Sequence, residues 1–115
     1  LIDAGADEDT LSFEGSNHLL DLTSSNYDGM FANFERIDLG DSGSNTVSLN
    51  PDDVLEMSGD NEIIIDGDSS DAAEGSGWTL VNPSVSQDGN VYSQYSGSGG
   101  ATLLVDNQVD QTGLL

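Results

Sequence analysis

Apolar residues in this chain occur only in short bursts, and turns rich in Gly, Asp, Asn and Ser separate the bursts. No apolar run is longer than that of Ile63, Ile64 and Ile65, so no segment has the length of a membrane-spanning helix. No long stretch repeats its apolar residues with the 3.6-residue period of an amphipathic helix. Short strands joined by turns are therefore expected, and the sequence predicts an all-β fold.

One short helix interrupts this pattern and is predicted at Pro51–Met57. Asn50 is a good N-cap, Pro51 suits the first helical position, and Asp52 and Asp53 are favoured by the helix dipole. A second helical turn is predicted over residues 27–33. Strands are predicted at residues 10–13, 19–23, 34–39, 46–49, 62–66, 78–81, 91–95 and 102–105.

The character of the chain changes near residue 76, although 115 residues supply only one modest core and hence one domain. In residues 1–76 the Gly- and Asp-rich turns predict a parallel, β-solenoid or β-roll-like part that includes the short helix. In residues 77–115 we predict antiparallel hairpins, with Asp88-Gly89 as one hairpin turn.

Negative charge is the second constraint on the chain. The chain has 22 acidic residues and only one Lys or Arg, Arg36, which gives a formal charge of −21. Of the acidic residues, 16 are Asp. Such like charge repels itself in a compact state, so either very salty surroundings screen it or bound cations neutralise it. Carboxylates, amide oxygens and backbone carbonyls suit Ca²⁺. The charge argues against nucleic acid and anionic lipid as partners, and the lack of Cys excludes thiolate sites.

Three segments resemble the calcium-binding nonapeptide G-G-x-G-x-D-x-U-x, in which U is a large apolar residue. They are residues 4–12 (AGADEDTLS), 40–48 (GDSGSNTVS) and 67–73 (GDSSDAA), and none is intact. The alignment places Asp9, Asn45 and Asp71 at the ligand position. It places Leu11, Val47 and Ala73 at the apolar position.

The order of the segments is more specific than any one motif. DTLSFEGSNHLLDLTS is followed by FERIDLGDSGSNTVSLNPDDVL, by IIIDGDSSD and by a Trp- and Tyr-containing end. This order resembles the type I secretion target domain, the C-terminal region that follows the calcium repeats of giant RTX-type bacterial adhesins. The resemblance covers nearly the whole chain. Ala72-Ala73 departs from it, since the family has a larger apolar residue after the aspartate.

The resemblance implies a calcium-stabilised, β-rich module of a secreted adhesin, located outside the cell or on the bacterial surface. Its partners would be calcium ions, neighbouring domains of the same large chain and the type I secretion machinery, which reads an uncleaved C-terminal signal. We expect a monomer without membrane insertion and without catalytic activity.

The candidate calcium ligands are acidic or amide side chains in the glycine-containing turns. Asp66, Asp68 and Asp71 are spaced so that alternate carboxylates can converge, although a solvated acidic loop is the alternative. Asp38 is expected to complete a site with residues of another coil. The full predicted set is Asp66, Asp68, Asp71, Asp41, Asn45, Asp7, Asp9 and Asp38.

Three aromatic residues keep a second function open. Trp78, Tyr92 and Tyr95 would either fill the core or form a stacking surface for a sugar or peptide, which would make the chain a calcium-dependent binding module. His18 has no second His and no Cys to join it, so we expect a polar turn residue there. The leading hypothesis is a calcium-stabilised structural module, and the binding module is the alternative.

Overall fold

Strands and one short α-helix make up most of the regular structure in the part of the chain described. The computed structural model describes residues 2–5, 7–24, 30–40 and 43–115. The strands are β1 (Ile2–Asp3), β2 (Thr10–Ser12), β3 (Leu19–Asp21), β4 (Phe31–Ala32), β5 (Arg36–Asp38), β6 (Thr46–Ser48), β7 (Glu62–Asp66), β8 (Ala72–Glu74), β9 (Thr79–Gln87), β10 (Asn90–Ser96) and β11 (Thr102–Asp106), and the helix is α1 (Pro51–Met57). Short 3₁₀ turns lie at Ser98–Gly100 and Thr112–Leu114.

The all-β prediction is confirmed, and the helix has the predicted bounds. At its start, Asp53 Oδ2 accepts a hydrogen bond of 2.8 Å from the backbone N–H of Asn50, so this aspartate serves the helix terminus. The second helical turn is wrong in its described part, because Phe31 and Ala32 form β4 and pair with β1. Residues 27–29 of that turn lie outside the described residues. Strands β1, β4 and β8 were not predicted.

Parallel pairing repeats through the first part of the chain. β5 lies between β2 and β7 in a six-stranded sheet, and β6 lies between β3 and β8 in a three-stranded sheet. In these four pairs of parallel strands, the paired residues are 26 to 28 positions apart along the chain. We therefore divide this described part into three passes, each of which adds one strand to both sheets. The first pass holds β2 and β3, the second β5 and β6, and the third β7 and β8.

The remaining strands extend the larger sheet. β11 pairs with β7 in parallel, and β10 then pairs with β11 and β9 in antiparallel fashion. The predicted hairpin turn at Asp88-Gly89 joins β9 to β10. The order of the whole sheet is β2-β5-β7-β11-β10-β9. The larger sheet is mixed, because it contains both parallel and antiparallel pairs.

The last residues close the third-pass end of the smaller sheet. The backbone N–H of Ala73 donates to Asp110 O at 2.9 Å, and the N–H of Gly75 donates to Gly113 O at 3.1 Å. Val109 and Leu114 are buried there. At this end β8 is therefore covered by residues 109–114, while β7 is covered by β11.

One apolar cluster joins both sheets. Ile37 and Ile65 of the larger sheet and Val47 of the smaller sheet are fully buried in it, and Trp78 and Leu103 belong to the same cluster. The radius of gyration, 12.8 Å, is that of a compact domain of this length, which fits the expected monomer. Among the described residues, no helix is long and apolar enough to cross a membrane.

Candidate metal centre

Asn45 is a fully buried connector between the first and second passes. Its Oδ1 accepts a 2.9 Å hydrogen bond from the backbone N–H of His18. Its Nδ2 donates to Leu39 O at 2.8 Å and to Gly15 O at 3.0 Å. The side chain thus has a partner for both amide hydrogens and for the oxygen, with no exposure to solvent.

Asp71 makes the equivalent connection one pass later. It is 1% exposed, and its Oδ1 accepts a 2.9 Å hydrogen bond from the backbone N–H of Asn45. Its Oδ2 accepts another, also of 2.9 Å, from the N–H of Asp68 in its own turn. Burial raises the pKa of Asp71, although the two N–H donors oppose that rise.

These two side chains form a ladder in which each reaches the amide of the preceding pass. In the first pass, the residue equivalent to Asn45 is His18, because the following residues, Leu19 and Thr46, are paired. The His18 ring instead hydrogen-bonds Glu14 O at 2.7 Å and packs edge-on against Phe13. The register also corrects the motif alignment: Asp9 stands opposite Glu35 and not in line with Asn45.

The ladder geometry is a poor fit to calcium ligation by Asn45. Both hydrogens of its amide group bond to carbonyl oxygens, and this fixes the amide oxygen on His18 N–H. Calcium needs several converging oxygen ligands with room around the ion. The packing of Asn45 and Asp71 is accounted for by hydrogen bonds alone, and calcium ligation by either residue stays a prediction.

Two further predicted ligands lie on the face of the larger sheet that points away from the core. Asp38 and Asp66 stand directly opposite each other at the ends of β5 and β7. Two like charges in this position destabilise a sheet unless something compensates them. Asp38 Oδ1 accepts a 2.9 Å hydrogen bond from Gly40 N–H, while Asp66 Oδ1 accepts one from the Tyr92 hydroxyl.

Arg36 is the compensating cation on this face. Its Nε lies 2.7 Å from Asp66 Oδ2, although the N–H does not point directly at the oxygen. Its other two nitrogens reach Glu8 Oε1 at 3.0 Å and Asp88 Oδ2 at 2.8 Å. Burial alone would lower the pKa of Arg36, but the bond to Asp88 and the charge of Asp66 raise it overall.

These residues line an open cavity of about 320 Å³ on the sheet surface. Two aspartates of its lining, Asp88 and Asp106, were not among the predicted ligands, and Tyr92 was expected only as a core or stacking residue. A signal in the sequence could have pointed to Asp106. Three strands end in an apolar residue followed by an aspartate, namely Ile37-Asp38, Ile65-Asp66 and Val105-Asp106. Asp106 is buried, and its Oδ1 accepts a 3.0 Å hydrogen bond from Gln108 N–H. The lining consists of Arg36, Asp38, Asp66, Gly67, Asp68, Asp88, Asn90, Tyr92 and Asp106.

The three closely spaced aspartates Asp66, Asp68 and Asp71 lie in different environments. Asp66 faces this cavity, whereas Asp71 is buried beside Asn45. Asp68 lies between them, and its Oδ1 accepts a 2.9 Å hydrogen bond from Ser70 N–H. Over residues 2–5, 7–24, 30–40 and 43–115, no group of three or more His, Cys, Asp or Glu side chains is arranged to hold a metal ion. Asp41 lies outside the described residues.

Asp7 lines a separate acidic cleft of about 430 Å³ next to the first cavity along the sheet. Burial, followed by the charges of Asp60 and Glu8, raises the pKa of Glu62 in this cleft. Nearby, Asp9 N–H donates to Glu35 Oε2 at 2.8 Å. The Oδ2 atom of Asp9 is buried and has no hydrogen-bond partner among the described residues. An unpartnered buried carboxylate oxygen is costly, and a bound water or cation would relieve that cost.

The three candidate stacking aromatics are buried. Tyr92 and Tyr95 are 0% and 1% exposed, and Trp78 is 9% exposed with its Nε1 donating to Leu49 O at 3.0 Å. The Tyr95 hydroxyl donates to Gln111 Oε1. These side chains present no ring face on which a sugar could stack.

No protein-family model matches the sequence, and comparison with curated proteins and with solved structures finds no match. The function of the chain is therefore inferred from its own side chains and from the resemblance of its segment order.

Proposed function

We propose that the chain is a calcium-stabilised structural module near the C-terminus of a secreted RTX-type adhesin. It is non-enzymatic, and it folds outside the cell after export through a type I channel. The three parallel passes are coils of a β-solenoid or β-roll-like part, which the antiparallel hairpin extends. The observation that carries the calcium role is the concentration of aspartates on adjacent strands around one arginine.

The negative charges around Arg36 outnumber the positive charge available to neutralise them. The cavity around Arg36 contains five aspartates, and Arg36 is the only Lys or Arg of the whole chain. Asp38 and Asp106 each use one carboxylate oxygen for a backbone N–H, which leaves the second oxygen of each for another partner. Since the described residues contain no closed cluster of ligands, calcium bound here would act as a bridging counter-ion between strands.

Calcium neutralisation links folding to location. Before export, repulsion among the carboxylates keeps the chain extended. Calcium then binds the folded chain in preference to the unfolded one, so its binding free energy stabilises the fold. Calcium at about 100 times its dissociation constant adds about 2.7 kcal/mol to the free energy of unfolding.

The buried positions of Trp78, Tyr92 and Tyr95 disfavour the alternative, a sugar- or peptide-binding module built on these aromatics. A stacking platform needs an exposed ring face beside the metal, and these rings are used for packing.

Circular dichroism and thermal unfolding of the 115-residue protein test the proposal. The melting temperature is compared in EDTA, in millimolar Ca²⁺ and in NaCl of equal ionic strength. We expect calcium to raise the melting temperature by much more than NaCl, because a bridging ion acts beyond screening. The same spectrum and melting temperature in EDTA and in calcium would exclude the calcium role.

Paired variants locate the ion. Asp38→Asn with Asp106→Asn keeps the acceptors for Gly40 and Gln108 and removes two charges from the cavity. We expect this double variant to be more stable than the original chain in EDTA and to gain less from calcium. Glu14→Gln with Asp110→Asn removes two exposed charges outside the cavity, keeps the acceptor for Thr112 N–H and is the matched control. An equal calcium gain in both double variants would place the ion away from Asp38 and Asp106.

A further inference from the structure

The larger sheet ends at β9 in a long, exposed strand. β9 pairs with β10 on one side, and no strand among the described residues pairs with its other edge. Leu80 and Val81 of β9 are 41% and 53% exposed. An exposed apolar edge strand is a template on which another chain can add a strand, so folded proteins generally carry a feature that blocks it.

Charged side chains, a common block, are missing from this edge. β9 has the sequence TLVNPSVSQ, which contains no charged residue. Asp88 is the only acidic residue between Gly75 and Val105, although the whole chain has 22. Asp88 is also paired with Arg36 at 2.8 Å. The side chains of β9 therefore add nothing to the repulsion that keeps two copies of this acidic chain apart.

The middle of β9 contains three features that interrupt strand pairing. Pro83 has no backbone N–H and divides the nine-residue strand into two pieces, residues 79–82 and 84–87. Asn82 Oδ1 accepts a 3.0 Å hydrogen bond from the backbone N–H of Ser84, so this amide already has a partner. The register between β9 and β10 shifts on both sides of the Asn82–Gln94 pair, as it does at β-bulges.

An added strand would meet all three features at the same place. It would find no donor at Pro83, and it would have to displace the side chain of Asn82 from the N–H of Ser84. Bulges increase the local twist of an edge, so an added strand would not stay in register along both pieces. Each piece alone is shorter than the segments of about 5–7 residues that aggregate readily.

A second copy of the chain would bring these obstacles twice. Two identical edges related by a twofold axis pair so that residue i of each copy lies opposite residue j of the other. Pro83 is the middle residue of β9, so in the fullest overlap Pro83 of one copy lies opposite Pro83 of the other. Neither residue can donate a hydrogen bond at that point.

We infer that Asn82, Pro83 and Ser84 form a stop against strand addition, which prevents β9 from pairing with β9 of a second copy. The stop takes the place of the charged side chains that protect many other edge strands. The inference depends neither on calcium nor on export, because it concerns only the backbone and the uncharged side chains of this edge.

Removing the stop tests the inference. Asn82→Thr with Pro83→Val restores a donor at position 83, frees the N–H of Ser84 and introduces two residues that favour strands. Sedimentation equilibrium is measured in EDTA and in about 0.5 M NaCl, where a Debye length of about 4 Å screens the charge between copies. We expect the double variant to associate at least about tenfold more tightly than the original chain, because new backbone hydrogen bonds can form.

Ser86→Val is the matched control, since it adds an apolar residue to the same exposed strand and leaves the stop in place. It should sediment like the original chain. Adding Ser86→Glu to the double variant should reverse the association, because like charges on paired strands destabilise the pairing. Equal association of Ser86→Val and the double variant, or no association of a folded double variant, overturns the inference.

Circular dichroism and urea unfolding show whether each variant folds. If the double variant does not fold, Asn82→Ala carries the test, because it removes only the exposed acceptor of Ser84 N–H. It should then associate more tightly than the original chain, and equal association would overturn the stop. Amide hydrogen exchange locates the contact: slower exchange within residues 79–87 of the associated variant supports the inference, whereas a dimer that leaves β9 unprotected contradicts it.

Discussion

Replacing Asn45 with Ala tests whether this residue is a hydrogen-bond connector or a calcium ligand. The substitution removes the acceptor of His18 N–H and the donors to Leu39 O and Gly15 O. The bond to Leu39 O is buried, and the other two are partly buried. A buried polar group that loses its partner costs about 1–3 kcal/mol, and water relieves part of that cost where it can enter.

We therefore expect Asn45→Ala to lower the free energy of unfolding by about 2–4 kcal/mol. For a domain of this size, that loss lowers the melting temperature by about 8–16 °C. Urea unfolding and thermal unfolding, each in EDTA and in calcium, measure it. Ser44→Ala is the matched control, because Ser44 is an exposed neighbour in the same turn, and we expect it to change stability by no more than about 0.5 kcal/mol.

Asn45→Asp separates the two roles more sharply. A carboxylate cannot donate to Leu39 O and Gly15 O, so a connector role predicts a loss at least as large as that of Asn45→Ala, in EDTA and in calcium alike. A ligand role predicts the reverse in calcium, since aspartate adds a charged oxygen ligand. Recovery of full stability by Asn45→Asp in calcium, or a loss below about 1 kcal/mol for Asn45→Ala in EDTA, would refute the connector role.

Two further predictions concern packing and pH. A β-carbon added at Gly75 would lie 1.9 Å from the backbone oxygen of Leu49, so Gly75→Ala should lower the free energy of unfolding by about 3 kcal/mol or prevent folding. Gly59→Ala is the control, because the nearest atom to its added β-carbon lies at 3.8 Å, and it should change the free energy of unfolding by no more than about 0.5 kcal/mol. Equal melting temperatures for the two variants would contradict this. Burial raises the folded-state pKa of Glu62 above its ordinary 4.5 and that of Asp71 above 3.8. The folded state therefore binds protons more readily, so in EDTA the free energy of unfolding should fall as the pH rises from these ordinary values through the raised ones. Glu62→Gln should flatten that slope in urea titrations, and stability that increases with pH over this interval would show that the sign is wrong.

The strands of the first two passes show how far local pattern predicts the fold. Short apolar bursts between glycine and aspartate turns leave the chain few choices besides short strands, and α1 has both an N-terminal Asn-Pro signal and acids in its first turn. Strand β8 was missed because Ala72 and Ala73 carry little apolar signal of their own. It forms because β6 and the closing residues hold it from both sides.

The candidate sites were harder to predict, because a sequence motif does not show which way a side chain points. Asp66 and Asp71 are close in sequence, yet one faces the cavity and the other is buried beside Asn45. Asp88 and Asp106 belong to the same cavity as Asp66 although they are distant from it in sequence. Register between strands brings them together, and register depends on pairing across the whole sheet.

The sequence by itself determined the strand-rich character, the single short helix and the excess of negative charge, because these follow from short-range pattern and from composition. It also marked the turns in which Asn45 and Asp71 lie. Only the tertiary structure decided that these two residues connect successive passes, that carboxylates gather around Arg36, and that residues 109–114 cover β8. Each of those outcomes depends on which strands become neighbours, and that choice is made by burial of a shared core rather than by any local segment.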